Sequence, residues 1–315
     1  MIILILVAFT VAFTATVMRL LPQAGWVRRS PRLGIAAWYA ALLTVVMAAA
    51  AIVSELVFPW PGGAERFCVA GSWCLELTGE RHGFLAWLVA RLVAGSALLA
   101  AAAVGARALA STRIIARRRR RHRETLQIFG RRHGRLGVTV IDDARPAAYV
   151  APGRPQRVVV TTGAVDQLQP DELAAVLAHE RAHAAGHHQA LLDIVHVAAR
   201  IFPRSALTST ARQQVERLVE MRADEVAAAS HQPLHLARAL VAMATGGADV
   251  SAGLTAATGG DAVERLHRLM QPPRRLQPAS RAVVAAAVAL LPAVPLALAA
   301  ACNWWPFLSS YHWDL

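Results

Sequence analysis

The residues best suited to chemistry are His179, Glu180 and His183, an H-E-x-x-H pattern inside a stretch that reads as a helix. A spacing of four residues puts both imidazoles on one helix face, about one turn apart. Their outer nitrogens can then converge on one ion at the roughly 2.1 Å usual for Zn–N bonds. Glu180 follows the first imidazole directly, where a carboxylate can take a proton from a metal-activated water. A solvated, Ala-rich helix can carry two histidines and a glutamate without any such purpose. The pattern therefore needs a third ligand.

A third histidine further along the same helix is excluded by counting. The metzincin pattern would place it at position 189, which is Gln189, and His188 falls one residue short although Gly186 is in place. His187 lies about 12 Å from His179 along an unbroken helix. His187 and His188 thus read as solvent-facing residues or as outer partners of the ligands. A carboxylate from another helix is the alternative, as in two-His-one-Glu zinc hydrolases. Residues 211–228 form a strong helical run in which Glu216, Glu220 and Asp224 recur every four residues. Such a stripe is ordinarily a solvated face paired with arginines, here Arg212 and Arg217. A ligating Glu followed one turn later by an Asp that orients a ligating His is also what a zinc site requires. The reading is Glu220 as ligand to one Zn²⁺ and Asp224 as its supporting partner, with Glu216 as the fallback.

The elements that carry these residues belong to a membrane protein. The chain has 315 residues, 56% of them apolar, and a mean hydropathy of +0.40. Residues 1–18, about 34–57, about 84–110 and 282–301 are each long enough to cross a ~30 Å hydrocarbon core as helices. The first lacks a basic n-region and a clear cleavage site, so it reads as a retained anchor. Arginines orient the spans. The loop 19–33 carries Arg19, Arg28, Arg29 and Arg32 without an acid. The loop 58–83 has only Arg66 and Arg81 against Glu65, Glu76 and Glu80. Arg113, Arg117 to Arg121 and Arg123 follow the third span, and nothing after residue 301 is an arginine. All four counts put both termini outside and the H-E-x-x-H domain in the cytoplasm.

Other features fit this layout. Cys68 and Cys74 fall in the external loop, where a disulfide can persist, although two free thiols are the equally plain reading. Trp304, Trp305 and Trp313 suit an interfacial aromatic belt. The arginine block could bind nucleic acid, but directly after a span, anionic headgroups and topology already account for it, so no direct nucleic-acid contact is expected. Arg91 reads as snorkelling to the outer interface.

Residues 112–281 make one domain of ordinary size. Strands are expected at Val138–Ile141, Ala147–Val150 and Arg157–Thr161. Helices are expected at about 164–168, 171–187, 190–201, 209–229, 233–245 and 261–270, with a Gly-rich loop at 246–260 and a Pro-rich linker before the last span. Peptidases hold substrate as an added strand on a sheet edge, for which Ala147–Val150 is the candidate. Tyr149 or His231 could supply an oxyanion donor, and either could equally be structural.

The run Val158–Thr161, Asp171-Glu172-Leu173 and Val176–Glu180, with Glu220 and Asp224 downstream, resembles two related groups of membrane zinc peptidases over residues about 137–228. One is the HtpX/CAAX-protease type and the other the BlaR/MecR-type antirepressor peptidases, both gluzincins. In the HtpX type, further spans are expected between H-E-x-x-H and the Glu ligand. Here residues 189–203 are broken by Asp193, His196 and Arg200. They are too short and polar to span, and suit a helix lying on the domain or membrane surface. Three spans before the zinc domain and one after are similar to the BlaR/MecR type. The external penicillin-binding domain of its β-lactam sensors has no counterpart in this sequence, so β-lactam recognition is not implied.

The expected architecture is therefore a mainly α, polytopic protein of a bacterial-type plasma membrane. Three spans occupy residues 1–111 and a fourth occupies 282–301, with a cytoplasmic α+β zincin-like metallopeptidase domain at 112–281 and a short external tail. The resemblance implies a zinc-dependent endopeptidase cutting a cytoplasmic protein, with a DNA-binding transcriptional repressor as the substrate class in a signalling response. Membrane-protein quality control is a second reading. A non-catalytic scaffold or sensor is a third, against which Glu180 speaks, because a structural zinc site has no use for that carboxylate. A homodimer is left open.

Overall fold

A computed structural model describes residues 2–57, 67–69, 73–75, 83–153, 155–245, 261–271 and 276–310. In chain order the elements are α1 (Ile2–Leu20), α2 (Gly25–Arg29), α3 (Pro31–Val57), β1 (Phe67–Val69), β2 (Trp73–Leu75) and α4 (Gly83–Phe129). Then come β3 (Arg131–His133), β4 (Val138–Ile141), β5 (Ala148–Ala151), β6 (Arg157–Thr161), α5 (Thr162–Gln167), α6 (Pro170–Ala185), α7 (His188–Ile201), α8 (Ala206–Ala227) and α9 (Pro233–Thr245). The chain closes with α10 (Asp261–Leu269), α11 (Pro278–Leu290), a short 3-10 turn (Leu291–Ala293) and α12 (Val294–Ser310). Two compact units result, one of Met1–Val27, Ala36–Ala108 and Gln277–Leu315, the other of Arg28–Ile35 and Leu109–Leu276.

The first unit is helical and apolar on its surface. Ile2–Leu20, Pro31–Leu56, Arg91–Phe129 and Pro278–Cys302 are long and apolar enough to cross a membrane. Large side chains stand bare on them, among them Leu4, Val11, Leu99 and Leu290. Water would penalise that exposure, whereas lipid would not. The last of these stretches is interrupted at Leu291–Ala293, where Pro292 removes a backbone donor. In β1 and β2, Cys68 and Cys74 are directly opposed in an antiparallel register. Their thiols, and with them the expected disulfide, lie outside the described residues, as do the Trp side chains of the expected belt and the Gly-rich loop at 246–260.

The third span was expected to end near residue 110, yet α4 runs on through the arginine block to Phe129. Arginine is a good helix former, and Arg120 supports the extension through Glu124, one turn on, at 2.9 Å.

The second unit is built on a four-stranded sheet of order β3-β4-β6-β5. β3 pairs with β4 and β5 with β6 in antiparallel fashion, while β4 and β6 run parallel. Register puts Val138, Val140, Val158, Val160 and Ala148 on one face. That face packs on Leu173, Val176 and Leu177 of α6, with Ala227 of α8 and Leu236 and Ala239 of α9 completing the core. The opposite face carries Thr139, Val159 and Tyr149, and there the Tyr149 ring tilts against His122 of α4 at 5.5 Å between centroids.

The strand–helix junction is tight where β6 passes into α5. Gly163 donates its N–H to the Asp143 carbonyl at 2.9 Å, and an added Cβ would meet the Ala144 carbonyl oxygen at 2.1 Å. Backbone cannot swing aside as a side chain can. Gly163→Ala should therefore lower the unfolding free energy by about 1–3 kcal/mol, read as a drop in the melting temperature of the detergent-solubilised chain. An unchanged melting temperature would contradict this packing.

Candidate metal centre

α6 begins at Pro170, whose missing N–H costs nothing at a helix start. Glu172 turns back to accept the Gln169 N–H at 3.1 Å, closing the first turn. Leu173, Val176 and Leu177 bury one face of the helix in the core, and this fixes its rotation. His179 and His183 then project together toward α8. That helix is capped by Ser205, whose Oγ accepts from Thr208 N. Its buried Val215, Leu218, Val219, Met221 and Ala223 leave Glu220 and Asp224 turned to α6.

The Nε2 atoms of His179 and His183 face each other at 3.1 Å. Glu220 presents Oε2 3.5 Å from His179 Nε2 and Oε1 3.5 Å from His183 Nε2. Tetrahedral zinc with bonds of roughly 2.1 Å holds its ligand atoms about 3.4 Å apart. The donor set therefore fits that ion as it stands. Two converging imidazole nitrogens and a carboxylate are also the donors zinc prefers.

Behind the ligands lies a network that sequence reasoning found only in part. Asp224 is buried, with Oδ1 3.0 Å from His179 Nδ1. Arg265 of α10 grips Asp224 through two bonds of 2.8 Å each, from Nε and from Nη2. Its Nη1 also reaches Glu220 Oε2 at 3.0 Å. Arg265 was not foreseen. The one available signal was that a buried Asp224 would need a cation, and sequence cannot say which of the many arginines supplies it. Further pairs between Arg268 and Glu225 and between Arg217 and Glu264 fasten α10 to α8.

The charges divide cleanly. Burial lifts the Glu180 carboxyl, and with the Glu220 charge nearby outweighs the opposing His179 and Arg265, bringing it to about 7. Burial also opposes charge on Asp224, but the Arg265 and His179 bonds overcome it and hold Asp224 at about 2. Glu220 is likewise held down against burial by His179 and Arg265. For His179, burial disfavours the cation, yet Asp224 and Glu220 carry it to about 9. His183 has no such carboxylate behind it, and burial takes it down to about 4.

Other expected residues are placed elsewhere. Glu216, the fallback ligand, bonds His196 at 2.7 Å and lies 3.7 Å from Arg212, one turn too early to share the Glu220 position. β5 is an edge strand, as the substrate-binding expectation requires, running over Ala148–Ala151. Tyr149 alternates onto the sheet face away from α6, because a strand sends neighbouring side chains to opposite faces and Ala148 takes the α6 side. His231 sits 3.0 Å from Ser230 Oγ just after α8. Among the described residues no hydrogen bond or ion pair joins it to the ligands. α6 ends at Gly186, so the helix is not continuous to His187.

Two outcomes follow for the metal-free protein. The raised His179 value means that stability from its imidazolium is complete below about 6.5 and lost as pH rises through about 9. Ligation needs the neutral ring, so zinc binding near pH 8 should release about one proton and near pH 10 almost none. Calorimetry in buffers of different ionisation enthalpy measures this, and a release that does not change with pH would refute it. Arg265→Ala leaves the buried Asp224 with His179 as its remaining partner and should cost the metal-free protein about 1–3 kcal/mol in denaturant unfolding. A loss below about 1 kcal/mol would show that the clamp is dispensable.

No solved structure matches the chain. The family model described as Peptidase family M48 matches residues 115–272, a stretch that holds both histidines, Glu180, Glu220, Asp224 and Arg265. With that match and this donor set, the chain belongs to Peptidase family M48, a family of zinc metallopeptidases.

Proposed function

We propose that the chain is an integral-membrane zinc endopeptidase of the BlaR/MecR antirepressor type, cutting a cytoplasmic DNA-binding repressor. Residues 1–111 supply three spans, 112–281 the catalytic domain and 282–301 the fourth span. The observation that carries the reading is the convergence of His179, His183 and Glu220, whose ligand atoms all lie within 4.8 Å of one another, with Glu180 next to the first of them on α6. A catalytic acid–base works best with a pKa near the working pH, and a purely structural metal site gains nothing from one.

His179, His183 and Glu220 would hold a zinc ion, which would supply a Lewis acid for the scissile carbonyl and for a water molecule. Glu180 receives the water proton on its carboxylate and returns it to the departing amine nitrogen. Asp224 holds the His179 ring, and Arg265 keeps Asp224 and Glu220 anionic. Among the described residues β5 pairs with β6 alone, so its other edge is where an extended peptide would add as a strand.

Two features support the cytoplasmic placement. The helices able to span a membrane number four among the described residues, with the basic block in the C-terminal part of the third. In addition, Arg28–Ile35, from the arginine-rich loop after the first span, belongs to the same compact unit as the catalytic residues, as a loop on the catalytic side would.

Newly formed protein N-termini in cells carrying the wild-type chain or Glu180→Gln test the proposal. Loss of the proton carrier should slow cleavage by about 10²–10⁴-fold, and a repressor fragment should appear only with wild type. Fragments of abnormal membrane proteins in place of the repressor would move the assignment to quality control. Identical sets of termini would leave a non-catalytic scaffold.

A further inference from the structure

Beyond α6 the chain turns abruptly, and the turn is built around one contact. His187 takes a left-handed φ of 50°, a conformation unfavourable for a residue with a Cβ, while its own ring is exposed. The turn folds His188 back over the end of α6. There His188 is only 4% exposed, and its Nδ1 lies 3.1 Å from Nδ1 of His183. The two rings meet edge to face, at 88° between planes. Gly186 makes the room: a Cβ there would stand 2.4 Å from His188 Nε2 and 2.6 Å from its Cδ2. A strained residue, a side-chain-free notch and a buried polar ring all serve the same meeting.

The protons on these rings follow from geometry. His183 directs Nε2 at His179 Nε2 and Glu220, so that nitrogen must be bare to ligate. Its proton then sits on Nδ1. His183 Nδ1–H donates to Nδ1 of His188, which carries its own proton on Nε2. We propose that His188 is a positioning residue of the metal centre, a buried neutral acceptor that fixes the tautomer and ring angle of His183 as Asp224 does for His179. The ligands are thus backed unequally, one by a carboxylate that Arg265 clamps and the other by an uncharged imidazole. A neutral acceptor orients the ring without placing a third fixed carboxylate beside Glu220 and Asp224.

This inference rests on the zinc reading of the site, and its test separates the two. Zinc affinity of the full chain in detergent is measured by competition with a chelating dye, alongside melting of the metal-free protein. His188→Leu fills the space but cannot accept a hydrogen bond, and should weaken zinc binding about 10–100-fold. His188→Asn keeps an acceptor oxygen and should stay within about threefold of wild type, a difference of well under 1 kcal/mol. Gly186→Ala changes no ligand, yet by displacing the His188 ring should reproduce the weakening, and it carries the test should His188→Leu fail to fold. Wild-type affinity in His188→Leu, or equal losses in Leu and Asn, would reduce His188 to a space-filler and overturn the proposal. A wild-type chain that bound no zinc would instead sink the metal reading itself.

Discussion

The site depends on a single buried carboxylate and the two groups that make its burial tolerable. Asp224 is 5% exposed, and an ionised acid in that position is strongly unfavourable without partners. It has two, His179 on α6 and Arg265 on α10, so one side chain on α8 ties three helices together. The tie also settles Glu220. Residues four apart on a helix share a face, so fixing Asp224 against His179 brings Glu220 round to the two Nε2 atoms. Buried Val215, Leu218 and Val219 on the same helix forbid a compensating rotation. Glu220 is held in place by the core, and Arg265 tunes its charge.

What was legible in the sequence was whatever a single helix can encode. H-E-x-x-H and the Glu220–Asp224 pair are each defined by a four-residue step, and the geometry follows from helical pitch alone. Glu216 shows the limit of that logic. It lies on the same stripe as Glu220, and only the placement of α7, which presents His196 to it, separates the two. Arg265 stands 41 residues from Asp224, so no local period could reveal their bond. The face on which Tyr149 falls was not legible for a related reason, since alternation divides a strand into two faces without saying which one meets the H-E-x-x-H helix. β3 escaped because Arg131, Arg132 and His133 are all exposed and lack the apolar alternation by which strands are recognised. Its pairing comes from the turn into β4, where Gly137 takes a φ of 65°. The helix that carries the third span runs past residue 110 because charge marks the edge of a membrane, while helix propensity continues past it.

The three acids around the histidines have been driven apart by their surroundings, and that separation assigns their roles. Glu180, Glu220 and Asp224 start with similar intrinsic acidity, and all three pay for burial. Arg265 bonds to Glu220 and Asp224 and keeps them charged, whereas it touches Glu180 only through space. Glu180 is therefore the acid left able to hold a proton near neutrality, and Glu220 adds to that by its own negative charge. Acids whose environments push their pKa values apart divide the work of a site between them. Here the division is made by one guanidinium, whose planar fork satisfies Asp224 with two bonds and Glu220 with a third donor. A lysine in its place would offer a point charge and could not hold both carboxylates in this geometry. Glu220 and Glu180 thus differ less in their own chemistry than in their access to Arg265, which makes α10, remote in sequence from the H-E-x-x-H motif, part of what sets the charge on each.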